Sequence, residues 1–373
     1  MRGWKRRVSL TAGFMGMMAA FGLSQRVPAW KGSIGQENGI TIVRNPKEPL
    51  YDGKILSLYK ELSIGSAAAS ENAVIASARS LAVDEAENMY VLDEKDFAVK
   101  VFDKSGAFLR RFGQKGKGPG DLDQPSRISI DRSQNALLIV NGASGLSFFS
   151  FDGKFLKSFT AGEAKKAQYA RADSAGRIVM SYVRVQDTDH RWNVLNKFEN
   201  ESGPPIEVKN TTLGSPYDFL MPLVYWDLDG KDNIYYGYPK AYEIEIFDPQ
   251  NKVIKRILKD YDPVEPSVEV KAQIAQTMKS LTPALAEKVF VSKYHSAFVN
   301  FLIDERGRLF VSSWIKSGKD FVYDVFDPEG LYIARFPLPF RAVLFKKGKL
   351  YCIEADSDGY QAVTRYSVNW QKK

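Results

Sequence analysis

Residue types that usually begin catalysis are sparse in this chain. It holds two histidines, His190 in the polar loop QDTDHRW and His295 in KYHSAF, and one cysteine, Cys352, in the apolar run LYCIEA. A lone cysteine forms no intrachain disulfide. A nucleophilic thiol also needs a neighbouring base, which the sequence does not supply, so a buried thiol on a strand is expected. There is no H-E-x-x-H, no cysteine pair, no G-x-S-x-G, no phosphate loop and no dinucleotide fingerprint. Two acidic fragments, DLDGKD at 227–232 and DSDG at 356–359, look like pieces of a calcium loop. They lack the spacing and the distal glutamate of an EF-hand. Aspartate and glycine at a strand–strand turn account for them. No cofactor is expected, and a Ca2+ ion in a channel has no support at this level.

The elements that would position a site repeat along the chain. Residues 81–113 read LAVDEAENMYVLDEKDFAVKVFDKSGAFLRRFG, and residues 128–160 read ISIDRSQNALLIVNGASGLSFFSFDGKFLKSFT. In each, an apolar strand ends in Asp, a polar turn leads to a second strand, a third strand ends near Phe-Asp, and a glycine turn opens a fourth. Weaker copies begin around Asp173, Asp229 and Asp304, and a sixth has Lys346 in place of the aspartate. Four-stranded repeats of about 40–50 residues are propeller blades. The fold expected is all-β: a six-bladed β-propeller over residues 30–373. The pairs Phe102-Asp103, Phe151-Asp152, Phe247-Asp248 and Phe326-Asp327 are expected to place Phe between blades and Asp at a tight turn. The sixth repeat ends after three strands. The segment 56–65, LSLYKELSIG, is expected to supply its outer strand and close the ring, with GITIVRN at 39–45 pairing nearby. A helical insertion is expected at about 264–292. There Val270, Ile274, Met278 and Leu281 share one face, Ser267 caps, and Thr282-Pro283 opens a second short helix. The bland role for that stripe is to cover apolar propeller surface; the alternative is a lid or docking arm.

The run FGQKGKGPGDLDQP at 112–125 must carry the chain from an outer strand back to the axis. Its glycines permit the bends, and Pro119 and Pro125 keep the approach extended. This loop, followed by SRISID, resembles the inter-blade signature of NHL-repeat proteins, and more narrowly that of secreted bacterial six-bladed propellers. The resemblance covers about residues 39–370 and is strongest in the first two repeats. It implies the fold and no single activity. Some NHL-type propellers are lyases with His-bound metal in the channel, and lactonase-like ones hold calcium on acidic and amide ligands. This chain lacks histidines at the strand starts.

Propeller geometry says where a ligand would bind. The inner strands begin at one mouth of the channel, at Ser80, Arg127, Tyr169, Tyr225, Asn300 and Ala342. The loops between second and third strands reach the same face through Asp93, Asn141, Arg184, Tyr238, Trp314 and Glu354. Polar and aromatic groups converging on a concave mouth suit a peptide, protein or glycan; the alternative is that loops meeting water are polar anyway.

Residues 1–29 read as a secretory leader. MRGWKRR is basic, VSLTAGFMGMMAAFGL carries no charge, and Val27 and Ala29 fit a cleavage site. The alternative is an uncleaved anchor. The formal charge of +8 is largely a property of this leader. Its removal leaves 47 basic against 44 acidic side chains, or +3, and the case for nucleic-acid binding goes with it. The expectation is a secreted or periplasmic, monomeric binding or scaffold module of the bacterial cell envelope, not inserted in the membrane. The alternative is a cation-dependent lyase or hydrolase with its site in the channel.

Overall fold

Each repeat aspartate folds its own turn. Asp84 accepts hydrogen bonds from the N–H groups of Ala86 and Asn88 at 2.9 and 2.8 Å, and Asp173, Asp229 and Asp304 hold the same two positions of their turns. Asp131 does so through Ser133 and Gln134. These carboxylates satisfy backbone donors that a turn would otherwise leave open. The sixth turn needs no carboxylate: Lys347 and Gly348 both have positive φ, 51° and 69°, the two-residue hairpin that matches strand twist. That is why lysine can stand at 346.

Strands in this register build a six-bladed β-propeller, and the fold class expected from the repeats is the one found. The structure, a computed structural model, describes residues 29–51, 55–66, 72–160, 162–187, 190–200, 202–318, 320–338, 341–355 and 361–371. The leader, apart from Ala29, and the DSDG fragment lie outside the described residues. From axis to rim, blade 1 is Ala78–Val83, Met89–Asp93, Ala98–Phe102 and Phe108–Phe112. Blade 2 is Pro125–Asp131, Ala136–Asn141, Leu146–Ser150 and Phe155–Phe159. Blade 3 is Tyr169–Ala172, Ile178–Val185, Arg191–Phe198 and Ile206–Thr212. Blade 4 is Tyr225–Leu228, Ile234–Gly237, Glu243–Phe247 and Val253–Lys259. Blade 5 is Asn300–Ile303, Leu309–Ser317, Asp320–Phe326 and Tyr332–Leu338. Blade 6 is Arg341–Lys346, Lys349–Ala355 and Gln361–Trp370, completed at the rim by Leu56–Ile64. The ring is closed by strand exchange between the two ends of the fold, as the sequence implied.

The second N-terminal strand goes elsewhere. Ile40–Asn45 does not join the closing blade; it runs parallel to Val253–Lys259 on the rim of blade 4, and Ser33–Glu37 pairs outside it. The chain then passes blade 5, where Leu50 and Tyr51 donate to the carbonyls of Tyr332 and Ile333, before entering blade 6. It is a belt over three blades. Asn45 is its rivet: buried, it donates to the carbonyls of Leu258 and Gly330 and accepts from the Tyr332 N–H at 2.7 Å.

The core lies between blades, in one apolar cluster per seam among the described residues. Outer turns press on the preceding blade. Gly153 has φ +92°, and a Cβ there would stand 2.6 Å from Cδ1 of Phe112. In blade 2 the pairing of Phe with Asp is shifted by two residues from the sequence reading. The turn starts at Ser150, with the Gly153 N–H on the Ser150 carbonyl, so the buried Phe149, not Phe151, matches Phe102. Ser150 takes the place of Asp103, its hydroxyl accepting from the Lys154 N–H at 3.1 Å.

The insertion forms α1 (Val268–Lys279) and α2 (Pro283–Ala286). Ser267 caps α1 by accepting from the Val270 N–H. Val270, Ile274, Met278 and Leu281 are the half-buried face, but no residue of α1 is fully buried. The helix leans on its surroundings and is not core.

Candidate functional site in the central channel

The inner strands enclose a cavity of about 1690 Å3. Its two ends differ in charge. Where the strands begin, Arg79, Arg127, Arg171 and Arg191 line it with Tyr169 and Tyr225, against one carboxylate among the described residues, that of Asp227. Where the strands turn back, the lining includes Asp84, Glu85, Asp229, Asp232, Asp304 and Glu305, against Arg132 and Lys346.

The ring is not uniform. At five seams the inner strands approach closely, but those of blades 3 and 4 stand farther apart, and that seam has the smallest apolar cluster. Polar side chains span the gap. Arg171 Nη1 is paired with Asp227 Oδ1, Tyr169 OH donates to the same oxygen at 3.3 Å, and Trp226 Nε1 donates to Ser181 Oγ at 2.8 Å. Burial, and then the Asp227 carboxylate, push the Tyr169 phenol up to about 12. Burial opposes the charge on Arg171, but Asp227 and Tyr169 outweigh it and hold the guanidinium protonated. Tyr169 is therefore a fixed neutral donor, and Arg171 a fixed cation, across the physiological range. Arg171 Nε is buried and has no hydrogen-bond partner.

Of the residues expected at the mouth, Ser80, Arg127, Tyr169, Tyr225 and Asn300 all line this cavity. The side chain of Ala342 lies outside the described set. The six loop residues are not part of its lining. Asp93 is buried and accepts from the N–H groups of Ala76 and Ser77 and from Lys100. Asn141 does the equivalent one blade on, accepting from Asp123 N–H at 2.6 Å and donating to the Asp121 carbonyl at 2.9 Å. Both fasten the incoming inter-blade segment. Glu354 accepts from Tyr366 OH at 2.8 Å and from Thr364. Tyr238 OH accepts from the Gly214 N–H. Arg184 lies over the Trp192 ring and 3.8 Å from Glu207. Trp314 stacks on His295 at 4.0 Å and donates to Ser296 Oγ at 3.1 Å.

Arg171 and Asp227 were missed by the sequence reading although a signal was present. Each stands two residues after a chosen tyrosine, and alternate residues on a strand share a face. Arg191 and Asn193 begin a third strand and line the cavity only because the seam is open, which no local pattern announces. Elsewhere, His190 lies in an exposed loop on the Asp187 carboxylate at 2.7 Å. Burial, and then the charge of Glu354, push the Cys352 thiol far above its ordinary range. Among the described residues no group of three His, Cys, Asp or Glu side chains could hold a metal ion.

These features define a six-bladed propeller with a large, charge-polarised axial cavity. More narrowly, the chain belongs to the 6-bladed beta-propeller family DUF5128, whose model matches residues 71–259, just over half of the chain. A DUF4221-family protein of Bacteroides vulgatus ATCC 8482 is similar in structure, with a TM-score of 0.57 at 12% identity over 85% of this chain and 99% of that one. A protein of Bacteroides fragilis NCTC 9343, provisionally described as exported, gives a TM-score of 0.54 at 12% identity over 89% and 100% of the two chains. At these identities the likeness shows the fold alone. By sequence, the chain is 27% identical over 123 residues to the protein brain tumor of Drosophila melanogaster. That match spans 32% of this chain and 12% of the relative.

Proposed function

We propose that the chain is a ligand-binding propeller of the cell envelope, taking a peptide, protein or glycan segment at the channel mouth where the inner strands begin. The observation that carries this reading is the lining of that mouth. Tyr169 and Tyr225 offer aromatic surface beside arginines, with Asp227 as the one carboxylate among the described residues. Aromatic and arginine side chains are the types that dominate recognition surfaces. The fixed protonation of Tyr169 and Arg171 suits binding, since both keep their hydrogen-bond donors across the physiological range. An exported setting accords with the leader-like first 29 residues and with the Bacteroides fragilis relative. Among the described residues no helix is long and apolar enough to cross a membrane. The finer likeness, to NHL-repeat propellers, rests on the inter-blade loop 112–125.

The test is binding of the protein to printed peptide and glycan arrays, beside the double substitution Tyr169→Ala/Tyr225→Ala. The expected result is a specific ligand class whose binding falls at least about tenfold in the variant. Binding that ignores the double substitution, in a variant that still melts cooperatively, contradicts the reading.

A further inference from the structure

The open seam between blades 3 and 4 widens the cavity into a recess at the arginine-rich mouth. Its walls are contiguous. Val183 and Asn193 are register partners on adjacent strands, the Leu213 N–H donates to the Arg191 carbonyl, and Leu213, Met221 and Leu223, from the segment that joins blades 3 and 4, line the cavity with them. Leu223 is 54% exposed, a large apolar side chain left facing solvent.

Two polar groups in this apolar recess lack adequate partners. The Arg191 guanidinium donates to the Met221 thioether at 3.8 Å, a weak acceptor, and pairs with no carboxylate among the described residues. Asn193 is 5% exposed and lines the cavity; its Oδ1 is turned away from that space, closed to solvent, and accepts no hydrogen bond. A folded protein seldom leaves such a group unpaired without reason. A guanidinium fork is shaped for a carboxylate. A buried amide oxygen asks for an N–H or O–H.

We infer that this recess binds the carboxyl end of a peptide whose last side chain is apolar, a deepening that rests on the channel-mouth reading above. The terminal carboxylate lies on Arg191. The last main-chain N–H reaches Asn193 Oδ1 after a turn about χ2. The last side chain enters the space between Val183, Leu213, Met221 and Leu223. A sugar acid would satisfy Arg191 equally well, but it would set ring hydroxyls against four apolar side chains, where they find no partners. The apolar walls therefore favour the peptide.

The experiment uses an array of peptides carrying every C-terminal dipeptide, each as free acid and as amide, with an oligogalacturonate array beside it. The expected result is binding to free acids ending in apolar residues, with amidation weakening it about tenfold or more. Arg191→Gln should cause a similar loss and Arg191→Lys a smaller one. Equal binding of acids and amides, or a preference for polar last residues, overturns the inference. So does Arg191-dependent binding to oligogalacturonate without any peptide binding. If Arg191→Gln fails to fold, the comparison of acid with amide on the unaltered protein decides. Binding that needs Tyr169 and Tyr225 but ignores amidation removes this inference alone. Binding to neither array, or binding that ignores both tyrosines, removes the channel-mouth reading with it.

Discussion

Asn45 offers a direct trial of how the ring is fastened. Its amide is 3% exposed and bridges two blades, donating to Leu258 O at 3.1 Å and Gly330 O at 2.9 Å and accepting from Tyr332 N–H at 2.7 Å. Asn45→Ala strands a buried N–H, which costs about 1–3 kcal/mol, and leaves two carbonyls short of a donor for a smaller amount. The sum is about 2–4 kcal/mol. Unfolding entropy near the midpoint is roughly 2.1 cal/mol/K per residue, so in a chain of this length the melting temperature should fall by about 3–5 °C. Asn45→Asp should be worse, because it keeps the acceptor but points a carboxylate at two carbonyls. Thermal unfolding followed by circular dichroism reads both. A shift below about 1 °C for Asn45→Ala would refute the view that the belt is riveted at this residue.

Two further outcomes follow from the packing. Burial, and then the charge of Lys316, lower the pKa of His295, whose ring stacks on Trp314. Between that lowered value and the ordinary 6.5 or so, the unfolded chain binds more protons than the folded one, so stability falls as the pH drops through this window. The difference in melting temperature between pH 7 and pH 5 should shrink in His295→Phe, which keeps the stack and removes the titration; an unchanged difference argues against it. Gly153→Ala forces a side chain into φ +92° and against Phe112 at 2.6 Å, for a cost of about 1–3 kcal/mol. Gly35→Ala, where a Cβ meets nothing within 4 Å, serves as the near-neutral control in the same denaturant titration.

The architecture was legible because one local device recurs. Asp84, Asp131, Asp173, Asp229 and Asp304 mark five turns that need a carboxylate in the same place, and the strands between them alternate on the propeller period. The exchange strand at 56–64 was legible too, since a three-stranded last repeat demands a fourth. Ile40–Asn45 was expected near the closing strand and instead joins the rim of blade 4, because a rim strand carries no mark of which blade it joins. Site residues divided along the same line. Strand-start positions reached the cavity because strand geometry dictates it. The loop positions were expected there because the loops between second and third strands reach the same face, but Asp93 and Asn141 spend their hydrogen bonds on the chain entering the next inner strand. Arg191 and Asn193 owe their place to an open seam, a property of how two blades pack and not of any local pattern.

Where a ligand contacts the channel is the most direct test of a binding site at the arginine-rich mouth. Backbone hydrogen exchange, measured with and without the tightest ligand found on the arrays, reads this along the whole chain. Protection is expected at 169–172, 191–193 and 221–226, around the arginine-rich mouth and the open seam, with none at the turns 84–88, 173–177 and 304–308 that ring the acidic end. Protection at those turns instead, or only on α1 and α2, would place the ligand elsewhere and contradict the account.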